Sequence, residues 1–276
     1  MKKIYGIIGD PIEHSLSPVM HNAAFEKLGL DAVYLAFGVA QEELGDAIKG
    51  AKSLGIAGLN VTIPLKEKAL SFVNAEVVAK KIGAINTIDF SIGVGYNTDG
   101  IGSLRVLKET VGELKGKNVL ILGAGGAAKA ISYYLDTEGA RVTIANRTKE
   151  RAAQLASNLR NANSIGLDAE LKEHVKDSDI LINATSVGMH PHEDATLVNA
   201  DMMHPDLVVF DIVYNPVDTK LLREAKKAGV KKVVDGVKML VYQGAASFRI
   251  WTKMEPPVEV MEKAVRDALI RIRNHF

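Results

Sequence analysis

The chain has 276 residues, of which 47% are hydrophobic and 24% are charged, and its formal net charge is +1 at pH 7. This composition is ordinary for a globular protein with room for two domains, and the small net charge gives no reason to expect a nucleic acid or a membrane as partner. There is no cysteine, which excludes disulfides, thiol nucleophiles and cysteine-ligated metals. No run of 18 apolar residues predicts a membrane span, and the apolar start is too short for a signal peptide, so we expect a cytoplasmic protein.

The first hundred residues alternate strand and helix patterns, which predicts a mostly parallel sheet with right-handed crossovers. We expect strands at 4–8, 33–37, 58–61, 85–89 and 92–96, of which the last two form a hairpin. We expect helices at 17–28, 42–54, 66–72 and 75–81. Ser17 is the predicted N-cap of the first helix and Pro18 its first residue. A helix over 100–111 is expected to lead into a second domain.

A glycine-rich turn stands between the apolar strand at 119–122 and a helix-like stretch, with the spacing of a dinucleotide-binding fingerprint. Gly123 allows the tight turn, Gly125 lets the backbone approach a pyrophosphate, and Ala128 lets helix and strand pack closely. The phosphate charge would lie on the free N–H groups at the helix start. The sequence therefore predicts a Rossmann-type nucleotide-binding domain.

The strand that follows, at 141–145, indicates which nucleotide binds. NAD sites usually end this strand in Asp or Glu, which accepts a hydrogen bond from the ribose 2′-hydroxyl. Here the strand ends in Asn146, Arg147 and Thr148, with Arg151 one turn later. Guanidinium and hydroxyl groups would hold a 2′-phosphate that a carboxylate would repel, so the sequence predicts NADP rather than NAD. The alternative is that Thr148 only caps the next helix and both arginines are solvated.

The rest of the chain keeps the same alternation. We expect further strands at 180–183, 208–211 and 232–234. We expect helices at 151–159 and 219–227. Two last helices, at 236–250 and 258–272, are expected to pack back on the first part of the chain.

Several polar segments follow predicted strands, where parallel α/β sheets bind ligands. Ser15 and Ser17 lie beside a helix start and suit a small carboxylate, although serines before proline also make turns and caps. Lys66 falls in a first helical turn, where the dipole disfavours a cation, so it is either functional or solvated. Asp99 either acts in the site or caps the next helix. Gln243 is polar on an otherwise apolar helix, where a buried amide with satisfied hydrogen bonds is the alternative to a ligand.

A histidine-rich segment superficially suggests a metal site. His190, His192 and Glu193 lie close in sequence and His204 follows, but Pro191 interrupts the spacing and no metal motif matches. We interpret the segment as a surface loop and expect no metal.

The motifs taken together, in this order, resemble the shikimate dehydrogenase family. They are Ser15-x-Ser17-Pro18, Asn60-Val61-Thr62-x-Pro64-x-Lys66, Gly83-Ala84-x-Asn86-Thr87, Asn97-Thr98-Asp99-Gly100, Gly123-x-Gly125-Gly126-Ala127, Asn146-Arg147-Thr148, Asn183-Ala184-Thr185 and Tyr242-Gln243-Gly244-Ala245.

The resemblance implies two α/β domains: a substrate domain of 1–99 plus 237–276, and an NADP-binding Rossmann domain of 100–236. It implies reversible NADPH-dependent reduction of 3-dehydroshikimate to shikimate in aromatic amino-acid biosynthesis, by a monomer or homodimer. Lys66 and Asp99 match the family's catalytic pair. The implied substrate-binding residues are Ser15, Ser17, Asn60, Thr62, Asn86, Tyr214 and Gln243. The implied cofactor-binding residues are Gly123, Ala124, Gly125, Gly126, Ala127, Asn146, Arg147, Thr148, Arg151, Thr185, Ser186, Ile212, Gly236 and Met239.

Three alternatives remain open. A quinate/shikimate dehydrogenase would have a broader substrate range and often use NAD, whereas Ser15, Ser17 and the segment Asn146-Arg147-Thr148 favour the shikimate-specific form. A non-catalytic nucleotide sensor would bind the cofactor without turnover and would need no pair of Lys66 and Asp99. A methylene-tetrahydrofolate-type dehydrogenase shares the two-domain plan but does not account for the serines or for Gln243.

Overall fold

The computed structural model describes residues 1–273. The chain forms two compact units, a first unit of 1–102 with the chain from 241 onward, and a second unit of 103–240. Each contains a six-stranded sheet. The predicted α/β class, with a mostly parallel sheet in one part and a Rossmann-type sheet in the other, is confirmed.

The first unit holds six strands, of which only β5 runs against its neighbours. They are β1 (Lys3–Gly9), β2 (Ala32–Gly38), β3 (Gly58–Val61), β4 (Asn74–Ala75), β5 (Thr87–Asp89) and β6 (Val94–Tyr96). Its helices are α1 (Ser17–Lys27), α2 (Leu44–Ser53), α3 (Val77–Ile82) and, near the end of the chain, α10 (Val258–Arg273). The sheet order is β2-β1-β3-β5-β6-β4. The expected hairpin is the antiparallel pair β5–β6, and α10 packs against α1 as expected.

The second unit contains a fully parallel sheet. Its strands are β7 (Asn118–Leu122), β8 (Arg141–Ala145), β9 (Ala162–Ile165), β10 (Ile180–Asn183), β11 (Val208–Asp211) and β12 (Lys232–Val234). Its helices are α5 (Gly126–Thr137), α6 (Lys149–Ala156), α7 (Glu170–Lys176) and α8 (Lys220–Lys227). The order β12-β11-β10-β7-β8-β9 reverses direction between β7 and β10, and doubly wound sheets bind ligands at this switch point. The unit boundaries fall inside α4 (Asp99–Val111) and α9 (Val237–Thr252).

Two sequence expectations at helix starts are wrong. Ser17 is the first residue of α1 rather than its cap, because Leu16 takes the N-cap position and no side chain caps the helix. The helix predicted from Lys66 is a short 3-10 turn over Lys68–Ser71. The carbonyl of Lys66 accepts a hydrogen bond from the backbone N–H of Ile85 (3.0 Å), which ties Lys66 to the segment before β5 instead of to a helix.

The core of the first unit contains an aromatic cluster around His21. The His21 ring is fully buried and stacks on the Tyr34 ring, with centroids 4.4 Å apart and planes 5° from parallel. Neither ring nitrogen has a hydrogen-bond partner within the described chain. Burial therefore lowers the pKa of His21 from 6.5 to about 3, and the imidazole stays neutral in the fold.

Among the helices of residues 1–273, none has both the length and the apolar character needed to cross a membrane.

The buried His21 predicts a loss of stability on acidification that His21→Phe removes. The unfolded chain binds a proton near pH 6.5 that the folded chain does not bind, so the free energy of unfolding falls as the pH drops below that value, by about 1.4 kcal/mol per pH unit. Urea unfolding of both proteins between pH 7.5 and 5 measures this. We expect the variant to gain on the wild type as the pH falls, while the exposed control His192→Gln does not. A difference between wild type and His21→Phe that is independent of pH would contradict the prediction.

Candidate active site

The antiparallel strand β5 brings three polar segments to one edge of the first sheet. Asn60 in β3 pairs with Thr87 in β5, and Thr87 pairs with Tyr96 in β6. Because β5 runs the opposite way, its start lies beside the ends of β3 and β6. The segment after β3, the residue before β5 and the segment after β6 therefore meet there. Lys66, Asn86 and Asp99, which are far apart in sequence, belong to these three segments.

Lys66 and Asp99 form a largely buried ion pair at this edge. Lys66 Nζ lies 2.7 Å from Asp99 Oδ2, and the two side chains are 13% and 5% exposed. The other carboxylate oxygen, Oδ1, accepts a hydrogen bond of 2.9 Å from Asn86 Nδ2. Asp99 is also the first residue of α4, where the helix dipole favours a carboxylate. Each oxygen thus has its own donor, which a buried charge requires.

Asn86 orients Asp99 and is itself held by a backbone hydrogen bond. Its Oδ1 accepts from the backbone N–H of Thr98 at 2.8 Å, which fixes the amide so that Nδ2 faces Asp99. The same Nδ2 lies 3.3 Å from Gln243 Oε1, so the polar position on α9 reaches this network.

A second buried network lies next to the first, around Asn60. Asn60 Nδ2 donates to the backbone oxygen of Asn86 (2.9 Å), to Thr87 Oγ1 (3.0 Å) and to Ser247 Oγ (3.0 Å), and its Oδ1 accepts from the Tyr34 hydroxyl (2.6 Å). Sequence reasoning missed Ser247 and Tyr34. Ser247 could have been found from its spacing, because it lies four residues after Gln243 on the same face of an otherwise apolar helix.

The two serines and Thr62 lie on the segments that follow β1 and β3. The backbone N–H of Ser17 donates to Ser15 Oγ at 3.3 Å, and the Ser17 side chain is buried. Thr62 is half-buried, and its backbone N–H donates to the Ile8 oxygen at 2.9 Å. In the described structure none of these three hydroxyls is hydrogen-bonded to the pair of Lys66 and Asp99.

The glycine turn after β7 in the second unit has the geometry of a phosphate site. Gly123 has φ +110°, and a Cβ there would lie 3.0 Å from the backbone oxygen of Ala184. Gly125 is the N-cap of α5 and has no side-chain cap, while a Cβ built on it would meet no heavy atom within 4 Å. The helix start therefore offers N–H groups and open space, and Ala128 is fully buried as close packing requires. Ala124, Gly126 and Ala127 belong to the same turn.

The turn after β8 fits an anionic group. Arg147 is exposed, and Thr148 holds the N-cap position of α6 without making a capping hydrogen bond through its hydroxyl. Thr148 therefore occupies the cap position that the alternative predicts, but its side chain makes no capping hydrogen bond. Asn146 Nδ2 donates to the Thr148 oxygen at 2.9 Å and shapes the turn, and Arg151 is exposed in the first turn of α6.

Asp211, which sequence reasoning missed, joins the loops after β10 and β11. It is fully buried and accepts hydrogen bonds from Asn183 Nδ2 (2.9 Å), the Val213 backbone N–H (3.0 Å) and the Thr219 hydroxyl (2.7 Å). Burial raises the pKa of Asp211 to about 6, which the three donors oppose. Asn183 Oδ1 in turn accepts from the Thr185 hydroxyl at 2.6 Å.

Several predicted site residues lie on these two loops. The predicted cofactor residues Thr185 and Ser186 follow Asn183, and Ile212 follows Asp211. Tyr214, predicted to bind substrate, lies two residues after Ile212. Gly236 lies so close to the Ile212 carbonyl that any side chain there would collide with it. Met239 is buried one turn later, in α9.

The histidine-rich loop makes separate local contacts. His190 Nδ1 lies 2.9 Å from Glu193 Oε1, and His204 Nε2 lies 3.0 Å from the Ser178 oxygen. Within residues 1–273 no group of three or more His, Asp or Glu side chains could hold a metal ion.

Three family models match the chain in succession. They are the shikimate dehydrogenase substrate binding domain at 7–88, shikimate / quinate 5-dehydrogenase at 105–235, and the shikimate 5'-dehydrogenase C-terminal domain at 236–266. A curated protein of Methanococcoides burtonii named shikimate dehydrogenase (NADP(+)) is 57% identical over 270 residues, which cover 98% of this chain and 99% of that protein.

Solved structures are similar over nearly the whole chain. A shikimate dehydrogenase in complex with NADP+ has a TM-score of 0.91 at 46% identity, covering 97% of this chain and 96% of that chain. A shikimate 5-dehydrogenase from Thermus thermophilus in complex with NADP(H) and shikimate has a TM-score of 0.88 at 38% identity, covering 97% of this chain and 100% of that chain.

Asp211→Ala should destabilise the protein, because three buried donors lose their acceptor. We expect the free energy of unfolding, measured by urea titration at pH 7.5, to fall by about 3 kcal/mol. The control Asp206→Ala removes an exposed carboxylate that forms an ion pair with the exposed Lys231, and it should leave stability unchanged within error. Equal free energies of unfolding for Asp211→Ala and the wild type would contradict a stabilising role for Asp211.

Proposed function

The chain belongs to the shikimate dehydrogenase family, and from that premise we propose that it catalyses the reversible NADPH-dependent reduction of 3-dehydroshikimate to shikimate in aromatic amino-acid biosynthesis. The observation that carries the proposal is the largely buried pair of Lys66 and Asp99, held by Asn86 at the edge of the first sheet. A nucleotide sensor would have no use for such a pair, since it would need only the cofactor turn.

The first unit binds the substrate in this proposal. Ser15 and Ser17 hold its carboxylate, as two hydroxyls beside a helix start can do. The other residues that the resemblance implies for substrate binding are Asn60, Thr62, Asn86 and Gln243 in the first unit and Tyr214 in the second. The substrate domain comprises 1–99 with 237–276 and the NADP domain 100–236, and these limits lie at the starts of α4 and α9. A cytoplasmic location and a monomeric or homodimeric state stay predictions of the sequence.

Lys66 and Asp99 act on the oxygen at C3 of the substrate. Bound NADPH supplies the hydride that reduces the ketone. As negative charge grows on the oxygen, the Lys66 ammonium stabilises it and carries a proton that the oxygen can take. Asp99 keeps the ammonium in place through Oδ2 and, being held by Asn86, presents a fixed carboxylate to the substrate hydroxyl. Low exposure strengthens these interactions, because little water competes for them.

The second unit fits NADP. The open space at Gly125 and the uncapped start of α5 suit the pyrophosphate, and the Arg147 guanidinium with the free Thr148 hydroxyl suits the 2′-phosphate. The residue directly after β8, where NAD sites usually have Asp or Glu, is Asn146. The named relatives use the same cofactor.

A spectrophotometric assay tests the proposed function directly. Purified protein is given shikimate and NADP, and NADPH formation is followed, with parallel reactions that contain quinate or NAD. We expect turnover of shikimate with NADP to exceed every other combination. Comparable rates with quinate and NAD would favour the broader quinate/shikimate dehydrogenase, and cofactor binding without turnover would favour a sensor.

Lys66→Ala should abolish most of the activity without abolishing substrate binding. We expect kcat to fall by about 10²–10⁴-fold with a much smaller change in KM, because the ammonium acts mainly as charge develops. Lys68→Ala is the matched control, since Lys68 is exposed and donates only to the backbone oxygen of Gln41. A normal kcat in Lys66→Ala would remove Lys66 from the chemistry.

Arg147→Ala should weaken NADP binding selectively. Loss of a charged hydrogen bond to the 2′-phosphate predicts a loss of roughly 1.5–3 kcal/mol for NADP and nearly none for NAD, measured by titration calorimetry. The control Arg141→Ala removes an exposed arginine at the opposite end of β8 and should affect neither nucleotide. Equal losses for both nucleotides would exclude a 2′-phosphate role.

A further inference from the structure

Tyr34 lies in β2 and links two segments that carry proposed substrate ligands. Its side chain is fully buried, and its hydroxyl donates to Asn60 Oδ1 at 2.6 Å. The Ser17 side chain also interacts with this phenol, and the interaction opposes the rise in the pKa of Tyr34 that burial causes. The hydroxyl of Tyr34 therefore lies between the segment after β1 and the end of β3.

The position of that hydroxyl is fixed from two sides. The ring stacks on His21, and the backbone is held by Asn22, whose Nδ2 donates to the Tyr34 oxygen (2.9 Å) and whose Oδ1 accepts from the Tyr34 N–H (2.8 Å). A phenol held at both its ring and its backbone has little freedom left. The position of its hydroxyl is therefore fixed, and the side chains that hydrogen-bond to it orient themselves accordingly.

The phenol also keeps its proton. Burial raises the pKa of Tyr34 well above its usual value, and the Ser17 side chain offsets only part of that rise. Tyr34 is consequently a constant neutral donor to Asn60 at any working pH.

Asn60 passes this orientation towards the Lys66–Asp99 pair. Its Nδ2 donates to the backbone oxygen of Asn86, whose own side chain holds Asp99. Because the amide of Asn60 is planar, the Tyr34 hydroxyl on Oδ1 and the buried acceptors on Nδ2 fix its orientation together, and Tyr34 supplies the only donor shown for Oδ1 among the described residues.

We propose that Tyr34 is a positioning residue for substrate binding, whose hydroxyl sets the orientation of Ser17 and Asn60 without touching substrate or cofactor. The proposal rests on the proposed function, because it assumes that Ser17 and Asn60 face shikimate. On this proposal, a side chain in the core contributes to the affinity for shikimate but not to the affinity for NADP.

Tyr34→Phe tests the proposal, with Tyr5→Phe as the matched control. Tyr5 is the cross-strand partner of Tyr34 in β1 and is also a core residue, but its hydroxyl has no hydrogen-bond partner among the described residues. We expect Tyr34→Phe to raise KM for shikimate about 10-fold, with kcat and KM for NADP changed by less than about 3-fold. Tyr5→Phe should match the wild type in all three.

The outcomes separate this inference from the function on which it rests. A wild type that does not oxidise shikimate with NADP overturns both. If the wild type is active and Tyr34→Phe keeps its KM for shikimate, or raises both KM values alike, or merely lowers the melting temperature, Tyr34 is structural and the inference falls. The same holds if Tyr5→Phe raises KM for shikimate as much.

A second variant covers the case in which Tyr34→Phe does not fold. Asn22 is only half-buried, and Asn22→Ala removes the two hydrogen bonds that fix the Tyr34 backbone. A selective rise in KM for shikimate supports the proposal, and an unchanged KM overturns it.

Discussion

The ion pair of Lys66 and Asp99 is the interaction on which the site depends. Such a pair is a poor means of stabilising a fold, because desolvation of two charges offsets much of their attraction and apolar replacements are often neutral or better. Here the cost is limited by a donor for each carboxylate oxygen and by the helix start beneath Asp99. The proposed function accounts for a lysine and an aspartate kept nearly out of water in this way, because the proposed chemistry needs a fixed ammonium.

The antiparallel strand β5 makes the pair possible. In a fully parallel sheet the residue before a strand lies at the opposite edge from the residues after its neighbours. Reversal of β5 places Asn86 beside the ends of β3 and β6, where its amide can hold Asp99 and bind Thr98. The second unit uses the other arrangement, since all its strands are parallel and the residues proposed to bind the cofactor follow the ends of its strands, on and beside the switch point.

The parts of the protein that local patterns determine could be predicted from the sequence. Strands β8, β10, β11 and β12 match their predicted limits, because each is a short and mostly apolar run bounded by turns. Strand β9 was missed, since its Asn163 and Ser164 are exposed and resemble a loop. Contacts between distant residues need the fold: Tyr34 looks like an ordinary core residue of a strand, and Asp211 like a turn residue. Lys66 and Asp99 were identified as a pair through the family resemblance. Their local sequence alone left a solvated lysine and a helix cap as alternatives.

A crystal structure of the protein with bound shikimate is the most direct test of the central claim. The account predicts that Lys66 Nζ and one oxygen of Asp99 both lie within about 2.6–3.2 Å of the C3 hydroxyl, with the ion pair still intact. Shikimate bound elsewhere on the chain, or bound with its C3 hydroxyl facing away from both groups, would contradict it.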